Sequence, residues 1–130
     1  MTRINTIEPE LLTDQHLIAE WRELPRVFAL ARPAPDAPKA YTLGTGHVRF
    51  FFERTGYLSR RQAALIAECL SRGFAIRYTT APAPVPGLDG DWEPDALAIE
   101  VNRERLREKL RTAKRPYTHR GVQVGEGFYG

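Results

Sequence analysis

Residues 13–28 read TDQHLIAEWRELPRVF, and wound as a helix they sort into two chemically different faces. Leu17, Trp21, Leu24 and Phe28 recur at spacings of four, three and four, the period of a core-facing stripe. Gln15, Ala19, Arg22 and Arg26 form one opposite row, and His16, Glu20, Glu23 and Val27 form the row beside it. A carboxylate, a histidine and two guanidiniums therefore converge on one patch, an unusual way to build a merely solvated surface. The competing reading is an exposed ion-pair network. Thr13 is placed to cap the helix, its hydroxyl accepting from a first-turn N–H. Pro25 lies inside the pattern and cannot donate to the carbonyl of Trp21, which predicts a kink beside Arg22 and Glu23.

The 130 residues suit a single domain, long enough to bury one core but not two. No run approaches the roughly 20 apolar residues of a membrane span, and residues 1–10 lack the apolar stretch of a secretory signal, so a cytoplasmic protein is expected. One cysteine, Cys69, excludes an internal disulfide, and its neighbours Leu65, Ile66 and Leu70 predict a buried, inert thiol. The net charge of +3 conceals an asymmetry: residues 103–120 hold eight Lys and Arg against Glu104 and Glu108, leaving −3 elsewhere. Arginine supplies 16 of the 19 cations, and its planar fork pairs bidentately with phosphate; the clustering on one segment points to nucleic acid more than the total does.

The pattern predicts an all-α domain of three helices, over residues 14–31, 60–72 and 102–114, with long irregular connections. Prolines at 33, 35 and 38 make residues 32–40 a connector, and residues 81–90, APAPVPGLDG, form another. Gly44 and Gly46 permit a turn that seats Phe50, Phe51 and Phe52 in the core; the Gly-x-Gly completes no phosphate-binding motif. Ser59 with Gln62 reads as a capping box for the second helix, with Leu65, Ile66, Cys69 and Leu70 buried and Gly73 as its stop. Asn102 reads as the cap of the third, which carries a thin stripe of Leu106, Leu110 and Ala113. Its remaining circumference is charged, with Arg103, Arg107, Arg111 and Lys114 on one side and Arg105 and Lys109 on another. Residues 117–130 show neither helical nor strand period.

His16, His47 and His119 are scattered, with no His-Glu-x-x-His and no cysteine pair, so spacing gives no metal site. Cys69 sits in an apolar helix and no Gly-x-Ser-x-Gly occurs, so neither common hydrolase nucleophile is supported. What remains is Glu23, flanked by Arg22 and Arg26, with His16 two turns earlier.

These residues resemble the phage-type endonuclease V family, the small pyrimidine-dimer DNA glycosylases with abasic-site lyase activity. The matching segments are MTRIN at 1–5, DQHL and AEWRELPRVF within 14–28, LGTGHVRFF at 43–51, RRQAALIAECLSRGF at 60–74 and RLREKL at 105–110. They run in order along about the first 110 residues. The resemblance implies a compact all-α domain acting on damaged double-stranded DNA, as a monomer, without metal or cofactor. After loss of Met1 the Thr2 α-amine would attack C1′ beneath the 5′ base of a cyclobutane pyrimidine dimer, with Glu23 opposing the positive charge that develops on the sugar. β-Elimination from the resulting imine would then nick the strand. By matching position, Arg3, Gln15, His16, Arg22 and Arg26 would line the site and hold phosphates, while Arg105 and Lys109 would grip the backbone.

The residues support the choice of nucleophile on their own. An α-amine with a pKa of about 7.7 to 8 is roughly one-tenth neutral at pH 7, against well under a thousandth of a lysine near 10.4. Two departures bear on substrate range. The connector 32–42 is shorter and less basic than its family counterpart, and the aromatic, lysine-containing C-terminal segment is reduced to Arg115-Pro116-Tyr117. A lyase with altered lesion range and a non-catalytic basic DNA-binding module are the alternatives.

Overall fold

The computed structural model describes residues 3–130; Met1 and Thr2 lie outside the described residues. Among the described residues are four helices, α1 (Asp14–Leu30), the single-turn α2 (His47–Phe50), α3 (Thr55–Ser71) and α4 (Ala96–Arg111), with a 3-10 turn over Pro9–Leu11 and one hairpin, β1 (Tyr117–His119) and β2 (Val122–Val124). The three long helices agree with the all-α reading; the starts of α3 and α4 lie earlier than expected, one capped by another segment and one by a different local residue.

α1 begins as its sequence dictates, the Thr13 hydroxyl accepting from the His16 N–H at 3.1 Å. Leu17, Trp21 and Leu24 are buried, but Val27 (1% exposed) takes the last place in the core while Phe28 is only partly covered. The helix continues through Pro25. The Trp21 carbonyl that Pro25 leaves without its helical donor accepts instead from Gln62 Nε2 at 3.0 Å and the Tyr78 hydroxyl at 2.7 Å. Tyr78 also stacks on the Trp21 ring, 4.7 Å between centroids. Side chains from α3 and the segment after it thus supply what the backbone cannot.

α3 starts five residues before the expected position 60, so Ser59 is not its cap and Gln62 is a core residue. Its first-turn donors are met by another segment: Thr55 N–H bonds the Leu88 carbonyl at 2.9 Å and Tyr57 N–H bonds the Gly90 carbonyl at 3.2 Å. This demands close approach, for a Cβ on Gly56 would stand 2.5 Å from the Asp89 carbonyl oxygen. At the other end Gly73 adopts φ 79° and closes the helix as read, with Phe74 N–H bonded to the Cys69 carbonyl. Leu65, Ile66 and Cys69 are buried, and burial raises the Cys69 thiol to about 11; Leu70 is half exposed instead of buried.

α4 starts at Ala96, six residues before Asn102, because Asp95 provides the cap, its carboxylate accepting from Ala98 N–H at 2.8 Å. Asn102 lies inside the helix, fully buried, and the helix ends at Arg111 rather than 114. Phe50, Phe51 and Phe52 are buried as read, beside an aromatic group that includes Tyr41, Tyr57 and Trp92. The glycine turn before them depends on Gly46, whose φ of 90° is strained for any side chain and on which a Cβ would stand 2.5 Å from the Pro38 ring.

The hairpin in the tail is a correction to the sequence reading. Thr118 pairs with Gln123 across a two-residue turn in which Arg120 and Gly121 have φ of 51° and 81°, and three-residue strands are too short to display alternation. Asp14 at the head of α1 holds this hairpin, accepting from the Thr118 hydroxyl (2.6 Å) and from the N–H groups of Arg120 and Gly121 (each 3.0 Å). No helix among the described residues is long and apolar enough to cross a membrane.

Candidate active site

The segment 4–7 is fixed by a buried polar network that its sequence does not announce. Ile4 donates to His47 Nε2 at 2.8 Å and accepts from the Tyr41 hydroxyl at 2.8 Å. Asn5 donates to Glu20 Oε1 at 2.8 Å and accepts from Asn102 Nδ2 at 2.7 Å. Thr6 N–H bonds Asn102 Oδ1, and Arg61 Nη1 donates to the Ile7 carbonyl. Arg61 also grips Glu20 through two parallel bonds of 2.9 Å, both side chains being buried. The network is anchored on α1, α3 and α4 at once, so it fixes the direction in which the chain reaches Arg3. His47 takes part as a neutral ring: Nδ1–H donates to the Thr42 carbonyl at 2.7 Å, and burial lowers its pKa to about 4.

Beyond this network opens a cleft of about 150 Å³, lined by Arg3, Asn5, His16, Ala19, Glu20, Glu23, Arg105 and Leu106. Arg3, His16, Glu23 and Arg105, singled out from sequence, are therefore brought together. Glu23 retains 23% side-chain exposure and lies 3.2 Å from Arg26 and 3.6 Å from Arg22, whose side chains extend into solvent. His16 is covered: Tyr117 stacks on its ring at 4.8 Å, and its Nδ1 is 2.7 Å from the Tyr129 hydroxyl. Burial, with Arg105 and Lys109 adding to the effect, lowers its pKa to about 4, so the ring is neutral at physiological pH.

The other expected site residues are distributed around this cleft. Gln15 is exposed and holds the hairpin, accepting from Thr118 N–H at 2.9 Å and donating to the Thr118 hydroxyl. On α4 the two charged sides differ. Arg103, Arg107 and Arg111 are matched by Glu100, Glu104 and Glu108. Arg105 and Lys109 meet no carboxylate within 4 Å among the described residues, so α4 presents its uncompensated positive charge on the cleft side. Thr2 lies outside the described residues. Among them, no three His, Cys, Asp or Glu side chains are grouped closely enough to hold a metal ion.

Sequence reasoning missed Asn5, Arg61, Asn102 and Tyr129, polar residues that each have a partner 41 or more positions away and whose local patterns resemble caps or surface. Glu20 carried the one usable signal, since it falls on the boundary between the apolar stripe and the charged row.

In comparison with known proteins, the chain is 27% identical over 97 residues to proteins named tRNA (guanine-N(7)-)-methyltransferase from Bordetella pertussis, Bordetella parapertussis and Bordetella bronchiseptica. The aligned part is 75% of this chain and 36% of those proteins, so the chain spans about a third of their length. Residues 1–81, which include Arg3, the whole of α1 and the buried Arg61, match the family described as pyrimidine dimer DNA glycosylase. That match covers well over half of the chain and contains every cleft-lining residue except Arg105 and Leu106: the chain belongs to the pyrimidine dimer DNA glycosylase family.

Proposed function

We propose that this protein excises the 5′ base of cyclobutane pyrimidine dimers in double-stranded DNA through the α-amine of Thr2, and nicks the strand at the resulting site. The observation that carries this reading is that Arg3 shares a cleft with Glu23, His16 and Arg105 while the segment behind it is locked by buried hydrogen bonds. Consecutive Cα atoms lie about 3.8 Å apart, so residue 2 is one step from a cleft-lining residue. The name of the Bordetella relatives is not carried over, since the match leaves most of their length unaccounted for.

In this mechanism the neutral amine adds to C1′, the N-glycosylic bond breaks, and the departing pyrimidine, still tethered by its cyclobutane ring, takes up a proton. The C1′–O4′ bond then opens, O4′ taking up a proton to become a hydroxyl, and the C1′–N bond becomes a protonated imine. Loss of a C2′ proton then expels the 3′ phosphate by β-elimination, and water releases the amine. Glu23 faces the cation formed in the first step and serves the proton transfers. Lysine is a poor alternative nucleophile, because Lys39, Lys109 and Lys114 are the only lysines and none lines the cleft. Arg22, Arg26, Arg105 and Lys109 supply phosphate contacts around the mouth, and the protein acts as a monomer. Lifting the damaged base from the stack is eased by the poor pairing of a dimer.

Borohydride trapping with mass spectrometry tests the reading. An adduct on the Thr2 amine is expected with both dimer-bearing and abasic duplexes, Thr2→Ala should retain it, and N-acetylation should abolish it. An adduct on a lysine, or full activity from acetylated protein, excludes the mechanism; an adduct on abasic but not dimer DNA assigns a narrower lesion range.

A further inference from the structure

His47, which is buried, and His16, which is partly buried, are held in opposite ways. His47 Nδ1 faces a carbonyl, which only accepts, so the proton is on Nδ1 and Nε2 accepts from Ile4 N–H. His16 Nδ1 faces two hydroxyls, Tyr129 at 2.7 Å and Thr13 at 2.9 Å. Both hydroxyl oxygens already accept a backbone N–H, from Thr13 at 2.9 Å and from His16 at 3.1 Å, which leaves their own protons to be donated. A lone pair on Nδ1 accepts the nearer of these protons, that of Tyr129 at 2.7 Å. The lone pair is therefore on Nδ1 and the proton on Nε2.

That Nε2–H is buried and has no hydrogen-bond partner, on a ring that lines the cleft with Arg3, Glu23 and Arg105. A buried donor without an acceptor is costly, and one on a ring that lines an open cleft is placed to bond an oxygen that enters it. We propose that Tyr129 is a positioning residue of the active site, its hydroxyl holding His16 as the Nε2–H tautomer so that this N–H donates to an oxygen of the substrate's sugar–phosphate chain in the cleft. The inference rests on the function proposed above. It assigns to the tail, which lies beyond the residues matched to the family, a part in the reaction. The tail is held for this purpose at two further points, the Asp14 clamp on the hairpin and the bond from Arg107 Nε to the Gly130 carbonyl at 3.0 Å.

The test uses the full chain labelled with 15N and the two-bond correlations that report which ring nitrogen carries the proton. His16 should appear as Nε2–H and His47, in the same spectrum, as Nδ1–H. Tyr129→Phe should leave the His47 signal intact, which monitors folding, while His16 becomes a mixture of tautomers. Its single-turnover cleavage of an abasic duplex should slow roughly three- to tenfold, the effect of one modest hydrogen bond, with the dissociation constant unchanged. A wild-type His16 protonated on Nδ1, or an unchanged cleavage rate in Tyr129→Phe, overturns the proposal. A wild-type chain that neither cleaves nor traps removes the substrate role even where the spectrum keeps the tautomer, so failure of the underlying reading is told apart from failure of the tyrosine's part.

Discussion

Glu20 and Glu23 sit one turn apart on α1 and line the same cleft, yet they have opposite surroundings. Glu20, with 1% of its side chain exposed, receives two bonds from Arg61 and one from Asn5. Glu23, with 23% exposed, has two guanidiniums at 3.2 and 3.6 Å that are themselves 71% and 61% exposed. A carboxylate whose acceptor sites are filled by fixed donors cannot respond to a positive charge that forms during a reaction. One that is partly exposed beside solvent-exposed guanidiniums can, because those guanidiniums can turn to phosphates when DNA arrives. In the mechanism proposed above, the partly exposed carboxylate of this pair is the one placed to face the sugar.

The largest effect should come from the locked side. Glu20→Ala strands a buried arginine and removes an anchor of the 4–7 segment, so a loss of about 3–5 kcal/mol is expected in urea unfolding. Stability within about 1 kcal/mol of wild type would place Glu20 with the ordinary surface carboxylates and dissolve the contrast.

Glu23→Gln tests the available side. Its pairs with Arg22 and Arg26 are solvent-screened, so the unfolding midpoint should hardly move, while excision of dimers should fall by about 10²- to 10³-fold, the range for removing one preorganised electrostatic contact. Near-wild-type excision would return Glu23 to the exposed ion-pair reading.

The same division governs what could be read from the sequence. The α1 face pattern, the Thr13 cap, the Gly73 stop and the grouping of His16, Glu23, Arg3 and Arg105 were legible, because helical period and one residue-by-residue resemblance carry them. The true starts of α3 and α4 were not. Ser59-x-x-Gln62 satisfies the capping pattern, but the carbonyls of Leu88 and Gly90, thirty residues on, cap the helix further back and release Gln62 to repair the break at Pro25. Asn102 also looks like a cap, and is instead the buried link between Asn5 and Thr6. Locked polar residues owe their roles to partners distant in sequence, whereas available ones keep the local pattern visible.

Asp14 belongs to the locked class and gives it a pH signature. Burial pushes its carboxyl up, but donors from Thr118, Gly121, Arg72 and Arg120 prevail and hold it at about 2, against 3.8 unperturbed. A depressed carboxyl stabilises above its unfolded value and loses that contribution as pH falls from about 4 through 2, up to about 2 kcal/mol here. His16 and His47, kept neutral by burial, act with the same sign at higher pH: the unfolded chain binds more protons between pH 6.5 and 4, so stability falls as pH falls through that window. Urea midpoints should therefore decline in two stages on acidification. Asp14→Asn should remove the lower stage and leave the upper one, and a curve unchanged by the substitution would deny Asp14 its role as the hairpin clamp.

The smallest effect extends the contrast to cations. Arg111 and Arg105 lie on one helix six residues apart, but Arg111 meets Glu104 and Glu108 whereas Arg105 lines the cleft with no acid in reach among the described residues. A guanidinium already neutralised by two carboxylates releases few counterions when a phosphate approaches; an uncompensated one releases nearly a full complement. Arg105→Ala should thus lower the magnitude of the slope of log K against log salt by about 0.9 for damaged and undamaged duplexes alike, and Arg111→Ala should leave it nearly unchanged. Equal changes from both substitutions would mean that DNA reads the total charge of α4. A change confined to Arg105 would mean that its glutamates decide which of its arginines DNA can use.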